Sequence, residues 1–243
     1  MNLTILFHVI ISLFSVIAKT KNHNIIYISD LLKSEKYKTY IVEIDRESVA
    51  YLKSNFTLAP EQLIEGDFLN YDLKTLFTEP FAIIGNLPYN ISSPIFFKIL
   101  ENKDQIPEVV CMIQKEVADR IVAKHGSKTY GILSVLLQAF YDIKYAFTVS
   151  EGSFNPPPKV KSAVIALRRN EVQKLDCDEK LFFQVVKAGF NQRRKMLRNP
   201  LKMFNLSPEL LVDEIFNKRA EQLSVEDFIM LTKRIESDIL RNR

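Results

Sequence analysis

The sequence predicts an α/β fold: a Rossmann-like, mostly parallel sheet covered by helices, closed by an antiparallel edge hairpin and followed by a small all-helical domain. From about residue 38 to 141, short apolar strands alternate with helical segments. The pattern then changes to two period-two strands joined by a proline turn, and beyond about residue 170 the apolar positions recur only at helical spacing. With 243 residues and 47% hydrophobic residues, the chain is long enough for one substantial domain and a modest appendage.

The elements follow in order. TYIVEI (39–44) reads as a buried strand, and RESVAYLKSNF (46–56) as a helix with Val49, Leu52 and Phe56 on one face. QLIEGDFL (62–69) is a short strand ending at a glycine and an acid, and FAIIGN (81–86) is another strand. SPIFFKIL (93–100) is helical, with Ser92 or Ser93 as N-cap and Pro94 at the first helical position. EVVCMIQ (108–114) is a strand, and KEVADRIVA (115–123) and GILSVLLQAFY (131–141) are helices. IKYAFTV (143–149) and SAVIALR (162–168) form the hairpin around the turn in FNPPPKV (154–160). The boundary to the helical domain falls near residue 170, giving domains over 31–170 and 171–243.

Residues 3–18, LTILFHVIISLFSVIA, form an apolar run followed by Lys19 and Lys21. The run is short for a spanning helix and has no basic start, which favours a buried helix or strand over a secretory signal or anchor. The two cysteines, Cys111 and Cys177, are far apart and support neither a disulfide framework nor a metal site. His8, His23 and His125 lack neighbours at ligand spacing, so no metal is expected. The net charge of +4 is unevenly spread: Lys187, Arg193, Arg194, Lys195, Arg198 and Lys202 fall in one stretch without an acid. By itself such a run fits a solvated helix face as well as a footprint for a polyanion.

In open α/β sheets, ligands bind outside the carboxyl ends of the strands. Glu43 stands at one such end, where an acid could take both ribose hydroxyls of a nucleotide-like cofactor. Asp67 stands at a second, able to accept from an adenine amino group, and Asn86-Leu87-Pro88-Tyr89 follow a third.

VEIDRE, EGDFL, GNLPYNISSPIFF, MIQKEVADRI, YGILSVLLQ, FNPPPKVKSAV and FNQRRKMLRN, in this order, resemble the KsgA-type ribosomal RNA adenine dimethyltransferases, relatives of the erythromycin-resistance methyltransferases. The resemblance runs from about residue 31 to the end. It implies an S-adenosylmethionine-dependent methyltransferase sheet and an adenine N6 amine of small-subunit ribosomal RNA as acceptor. It further implies cofactor contacts from Glu43, Ile44, Asp67, Phe68 and Asn86, and a catalytic set of Asn86, Leu87, Pro88, Tyr89 and Phe154. An aromatic amine is a poor nucleophile because its lone pair is shared with the ring, so the site must accept hydrogen bonds from its N–H groups. The Asn86 side-chain oxygen and the Leu87 carbonyl can do so, since Pro88 restricts Leu87 to an extended conformation. Tyr89 and Phe154 would supply aromatic faces for a flipped base. The resemblance also turns Arg193, Arg194, Lys195 and Arg198 into expected phosphate contacts, with Lys115 and Arg120 on weaker grounds and Phe190 packing between domains. The expected partner is ribosomal RNA within a pre-30S particle. The protein would be a cytoplasmic monomer, without a metal and away from membranes.

Residues 1–30 depart from the pattern. Family members carry a glycine-rich E-x-G-x-G-x-G loop after the first strand and an upstream Gln-Asn-Phe-like segment, whereas the first glycine here is Gly66. Residues 1–30 are thus expected to replace the usual first strand and loop, leaving Glu43 and Asp67 to hold the adenosine end alone. The alternatives are a catalytically impaired relative that binds RNA or assists assembly, a membrane-tethered form using residues 3–18, and a large-subunit target.

Overall fold

The computed structural model describes residues 7–11, 38–154 and 157–242. β1 (Phe7–Ile11) pairs in parallel with β2 (Thr39–Glu43) on one side and β4 (Phe81–Asn86) on the other. β3 (Leu63–Glu65) joins β2, and β5 (Glu108–Gln114) joins β4, again in parallel. β6 (Tyr141–Val149) and β7 (Ser162–Arg169) complete a seven-stranded sheet of order β3-β2-β1-β4-β5-β7-β6, with β7 antiparallel to β5. A strand flanked in parallel on both sides is typically a continuous apolar run, which FHVII provides apart from His8. Part of the apolar amino-terminal run therefore takes the central place in the sheet; the rest of residues 1–30 lies outside the described residues.

The core of the sheet is built where the sequence is most apolar. Ile41, Val42, Phe81, Ala82 and Ile83 are buried, and β5 alternates, with Val109, Cys111 and Ile113 inside. α1 (Arg46–Asn55) is capped by Asp45, whose carboxylate accepts from the Ser48 amide at 2.8 Å, and it buries Val49 and Leu52. Gly66, at φ 155°, takes the chain out of the extended conformation, so β3 ends at Glu65 and a 3-10 turn over Phe68–Asn70 replaces the rest of the expected strand. The short helix α2 (Leu73–Leu76) leads on to β4.

α3 (Ser92–Glu101) begins one residue earlier than its serines suggest. The Ile91 amide donates to the Pro88 carbonyl at 3.1 Å, a turn that delivers the chain directly into the helix. Ile91 is the N-cap, without a side-chain bond, and Ser92 is already helical.

α4 (Lys115–Ile121) follows β5, and α5 (Ile132–Gln138) stops three residues short of the expected end because Tyr141 starts β6. Beyond the sheet come α6 (Glu179–Asn191), α7 (Pro208–Leu211) and α8 (Val225–Arg241).

The described chain divides into two compact units. One holds the sheet, up to Ala118 together with Asp142–Arg169; the other takes Asp119–Tyr141 and the chain from Asn170 on. The second unit thus includes a segment that sequence pattern alone groups with the strands. The reason lies in α5, whose buried Leu133, Val135, Leu136 and Leu137 pack in a helical setting against α6 and α8. Phe190 belongs to this unit's own core, stacked on Phe228 at 5.9 Å and edge-on to Tyr130 at 6.0 Å. Among the described residues no helix is long and apolar enough to cross a membrane.

Candidate active site

The strand order reverses between β1 and β4, and in such sheets the crevice at the reversal, outside the carboxyl ends, is where ligands bind. Register places the candidate residues along that edge. Ile11, the last residue of β1, pairs with Val42 on one side and Gly85 on the other, each one residue before Glu43 and Asn86. Glu43 and Asn86 therefore stand at the same level on either side of β1, about 10 Å apart at ordinary strand spacing.

Glu43 is buried, and its Oε1 accepts from the Ile44 and Asp45 amides, both at 2.9 Å. Two backbone donors fix the direction of this carboxylate. Ile44, next to it, is 59% exposed and offers an apolar face at the rim. The Gly66 amide donates to the Glu43 carbonyl at 2.8 Å, carrying the β2–β3 pairing one step further. Asp67 comes next, its Oδ1 accepting from the Leu69 amide at 2.9 Å, while the Phe68 ring is buried.

At the end of β4 the backbone is held on several sides. The Leu87 amide donates to the Met112 carbonyl at 2.9 Å, extending the ladder, and Leu87 itself is buried. Pro88 disfavours the helical conformation at Leu87 and keeps it extended. The Tyr89 hydroxyl shares a 2.5 Å hydrogen bond with Ser162 Oγ at the start of β7, and the Tyr89 carbonyl accepts from Ser92 Oγ at 3.3 Å. The half-buried Tyr89 ring is thus anchored at its far end by a fully buried serine.

Phe154 closes the 3-10 turn Glu151–Ser153 through its amide, which donates to Glu151 at 3.1 Å, and it is only 6% exposed. Residues 155 and 156 of the proline turn lie outside the described residues.

The basic segment follows the carboxyl end of α6, where cations complement the helix dipole. The Arg193 guanidinium donates to the Lys128 carbonyl at 2.5 Å and to Ser127 at 3.4 Å, and Arg198 donates to the Asn217 side-chain oxygen. Arg194 and Lys195 are exposed, while Leu197 between them and Arg198 is buried. Among the described residues no group of three His, Cys, Asp or Glu side chains could hold a metal ion.

The structure thus brings Glu43, Ile44, Asp67 and Asn86–Tyr89 to one edge of the sheet. Sequence reasoning missed Ser162, Lys98 and Tyr71, which hold these residues. Ser162 is 73 positions from Tyr89, and only the β5–β7 pairing explains how the two come together.

A sequence model of the ribosomal RNA adenine dimethylase family matches residues 29–237. The ribosomal RNA small subunit methyltransferase A of Cytophaga hutchinsonii is 60% identical over 202 residues, covering 83% of this chain and 78% of that protein. The protein of the same name from Bacteroides thetaiotaomicron is 61% identical over 198 residues, 81% of this chain and 74% of that one. A dimethyladenosine transferase from Plasmodium falciparum has the same fold, with a TM-score of 0.72 at 22% identity, covering 95% of this chain and 90% of its own.

Proposed function

Since this chain belongs to the ribosomal RNA adenine dimethylase family, we propose that it transfers methyl groups from S-adenosylmethionine to the N6 amine of adenines in small-subunit ribosomal RNA. The observation that carries this reading is the common level of Glu43 and Asn86 on either side of β1, an acid for a cofactor ribose facing an amide for an amine. The protein works in the cytoplasm, as a monomer, on a precursor of the small subunit.

The described residues fit the adenosine part of the cofactor. Glu43, preset by two backbone amides, is an acceptor for ribose hydroxyls, the exposed Ile44 offers a flat apolar contact, and Asp67 accepts from an amino group. When bound, S-adenosylmethionine supplies an activated methyl group whose sulfur leaves as a neutral thioether. The residues that follow β1, where the rest of such a cofactor would lie, are outside the described residues.

The chain's own contribution is alignment. The Asn86 amide oxygen and the Leu87 carbonyl accept from the adenine amine and direct its lone pair away from the ring. The Leu87 carbonyl is an acceptor of fixed position, because ladder bonding and Pro88 hold the backbone. The Tyr89 ring, held by Ser162, offers a stacking face for the base, whereas Phe154, expected to supply the opposing one, is buried in this structure. A neutral amide takes no proton; the product ammonium loses its own to solvent, so a strong base is not required. Arg193, Arg194, Lys195 and Arg198 bind phosphate and orient the RNA without choosing the base.

Calorimetric titration with S-adenosylhomocysteine tests the cofactor site: binding that Glu43→Ala abolishes supports it, and absence of binding to the folded chain removes it. A second reading, an RNA-binding relative without catalysis, draws on the absence of glycine before Gly66. It requires RNA affinity that the cofactor leaves unchanged and no methylated adenine in treated small subunits.

A further inference from the structure

The loop that carries Asp67 is gripped by a lysine of α3. Lys98 Nζ donates to the Leu69 carbonyl at 2.8 Å and to the Tyr71 carbonyl at 2.5 Å, and lies 5.7 Å from the centre of the Phe68 ring. Leu69 is also the residue whose amide donates to Asp67 Oδ1. A single ammonium thus holds the carbonyl of the very residue that orients the acid. The Tyr71 hydroxyl donates to the Glu65 carbonyl at 2.8 Å, and the Tyr71 ring closes over Gly66. A β-carbon at Gly66 would collide with the Tyr71 hydroxyl and meet its ring carbons at 3.1 and 3.2 Å, in a backbone conformation that side chains disfavour. From Glu65 to Tyr71 the chain is therefore a closed loop, tied across its mouth by Tyr71 and from α3 by Lys98.

Burial pushes the Lys98 pKa down, against the opposing pull of Glu101, Asp67 and Asp72. A half-buried lysine spent on two backbone carbonyls is costly as mere packing, since an apolar side chain of similar length would fill the space without desolvating a charge. Its return is a loop that cannot shift along α3.

We infer that Lys98, with Tyr71, is a positioning residue for the adenosine end of the cofactor: it holds the 66–71 loop so that the Asp67 carboxylate reads an adenine amino group. This rests on the methyltransferase reading. The groups recognised are adenine-bearing cofactors, as against those with a 6-oxo purine, which present no amino group to Asp67.

The test compares the full chain with Lys98→Met, Asp67→Asn and the double variant. It uses calorimetric titration of S-adenosylhomocysteine and S-inosylhomocysteine, and hydrogen exchange at the Leu69 amide. The unmodified chain should prefer the adenine compound by about tenfold, the worth of one buried hydrogen bond. Lys98→Met should lose most of that preference, the double variant should be no less selective than Asp67→Asn, and Leu69 exchange should quicken by about tenfold. Equal weakening toward both compounds, with Leu69 protection kept, would make Lys98 a packing element and overturn the proposal. If the unmodified chain binds neither compound, the methyltransferase reading fails, and Leu69 exchange alone decides whether Lys98 holds the loop. Should Lys98→Met not fold, Tyr71→Phe, which removes only the hydroxyl, must show the same loss of selectivity and of Leu69 protection.

Discussion

At the scale of single residues, the proposed mechanism rests on the acceptors at the end of β4 more than on any titrating group. Asn86→Ala should lower the methyl-transfer rate by about a hundredfold, more than it weakens S-adenosylhomocysteine binding, as single-turnover kinetics beside calorimetry would reveal. The chemical types were legible in the sequence, because Asn-Leu-Pro-Tyr at a strand end limits what those groups can do. Their anchors were not, since the serine that fixes Tyr89 belongs to a distant strand. Asp45 makes the capping of α1 depend on pH. Hydrogen bonds from the Ser48 hydroxyl and then the Ser48 amide hold its pKa below the ordinary 3.8. Its contribution to α1 is therefore fully present above that value and lost as pH falls through the lowered one. Asp45→Ala should be less stable than the unmodified chain near neutrality, with the gap closing on acidification when denaturant midpoints are compared.

At the scale of elements, β1 is the part least expected from the family pattern. Period and composition identified β2, β4, β5, α1 and α3, whose buried faces are continuous in sequence. The ends of these elements depended on details that pattern does not carry: the positive φ of Gly66 and the Pro88–Ile91 turn. Val9, between Tyr40 and Ile83, occupies the middle of β1. Proline there removes a ladder donor from a strand paired on both sides, so Val9→Pro should abolish cooperative unfolding of the sheet, seen as loss of the main transition by circular dichroism. In the helical unit, Ser224 and Asp227 form a reciprocal cap on α8, with bonds of 3.1 and 3.0 Å. Ser224→Ala should cost about 1 kcal/mol, measurable by urea unfolding.

At the scale of the whole molecule, charge and chain path divide the work. The net charge of +4 is small, so the proposed RNA contact rests on local clustering, and the exposed Arg194 and Lys195 lie within the basic stretch. Replacing either with alanine should weaken RNA binding regardless of sequence and reduce the salt dependence of log affinity by about one per residue. The chain enters the helical unit at Asp119, leaves it at Tyr141 and returns at Asn170. During synthesis, α5 emerges with four apolar side chains whose helical partners, α6 and α8, have yet to be made. The interval before the carboxyl-terminal helices leave the ribosome is thus a window of exposure for α5, in which a chaperone would find its target. For the same reason, a fragment cut at the sheet's last strand would leave those leucines uncovered.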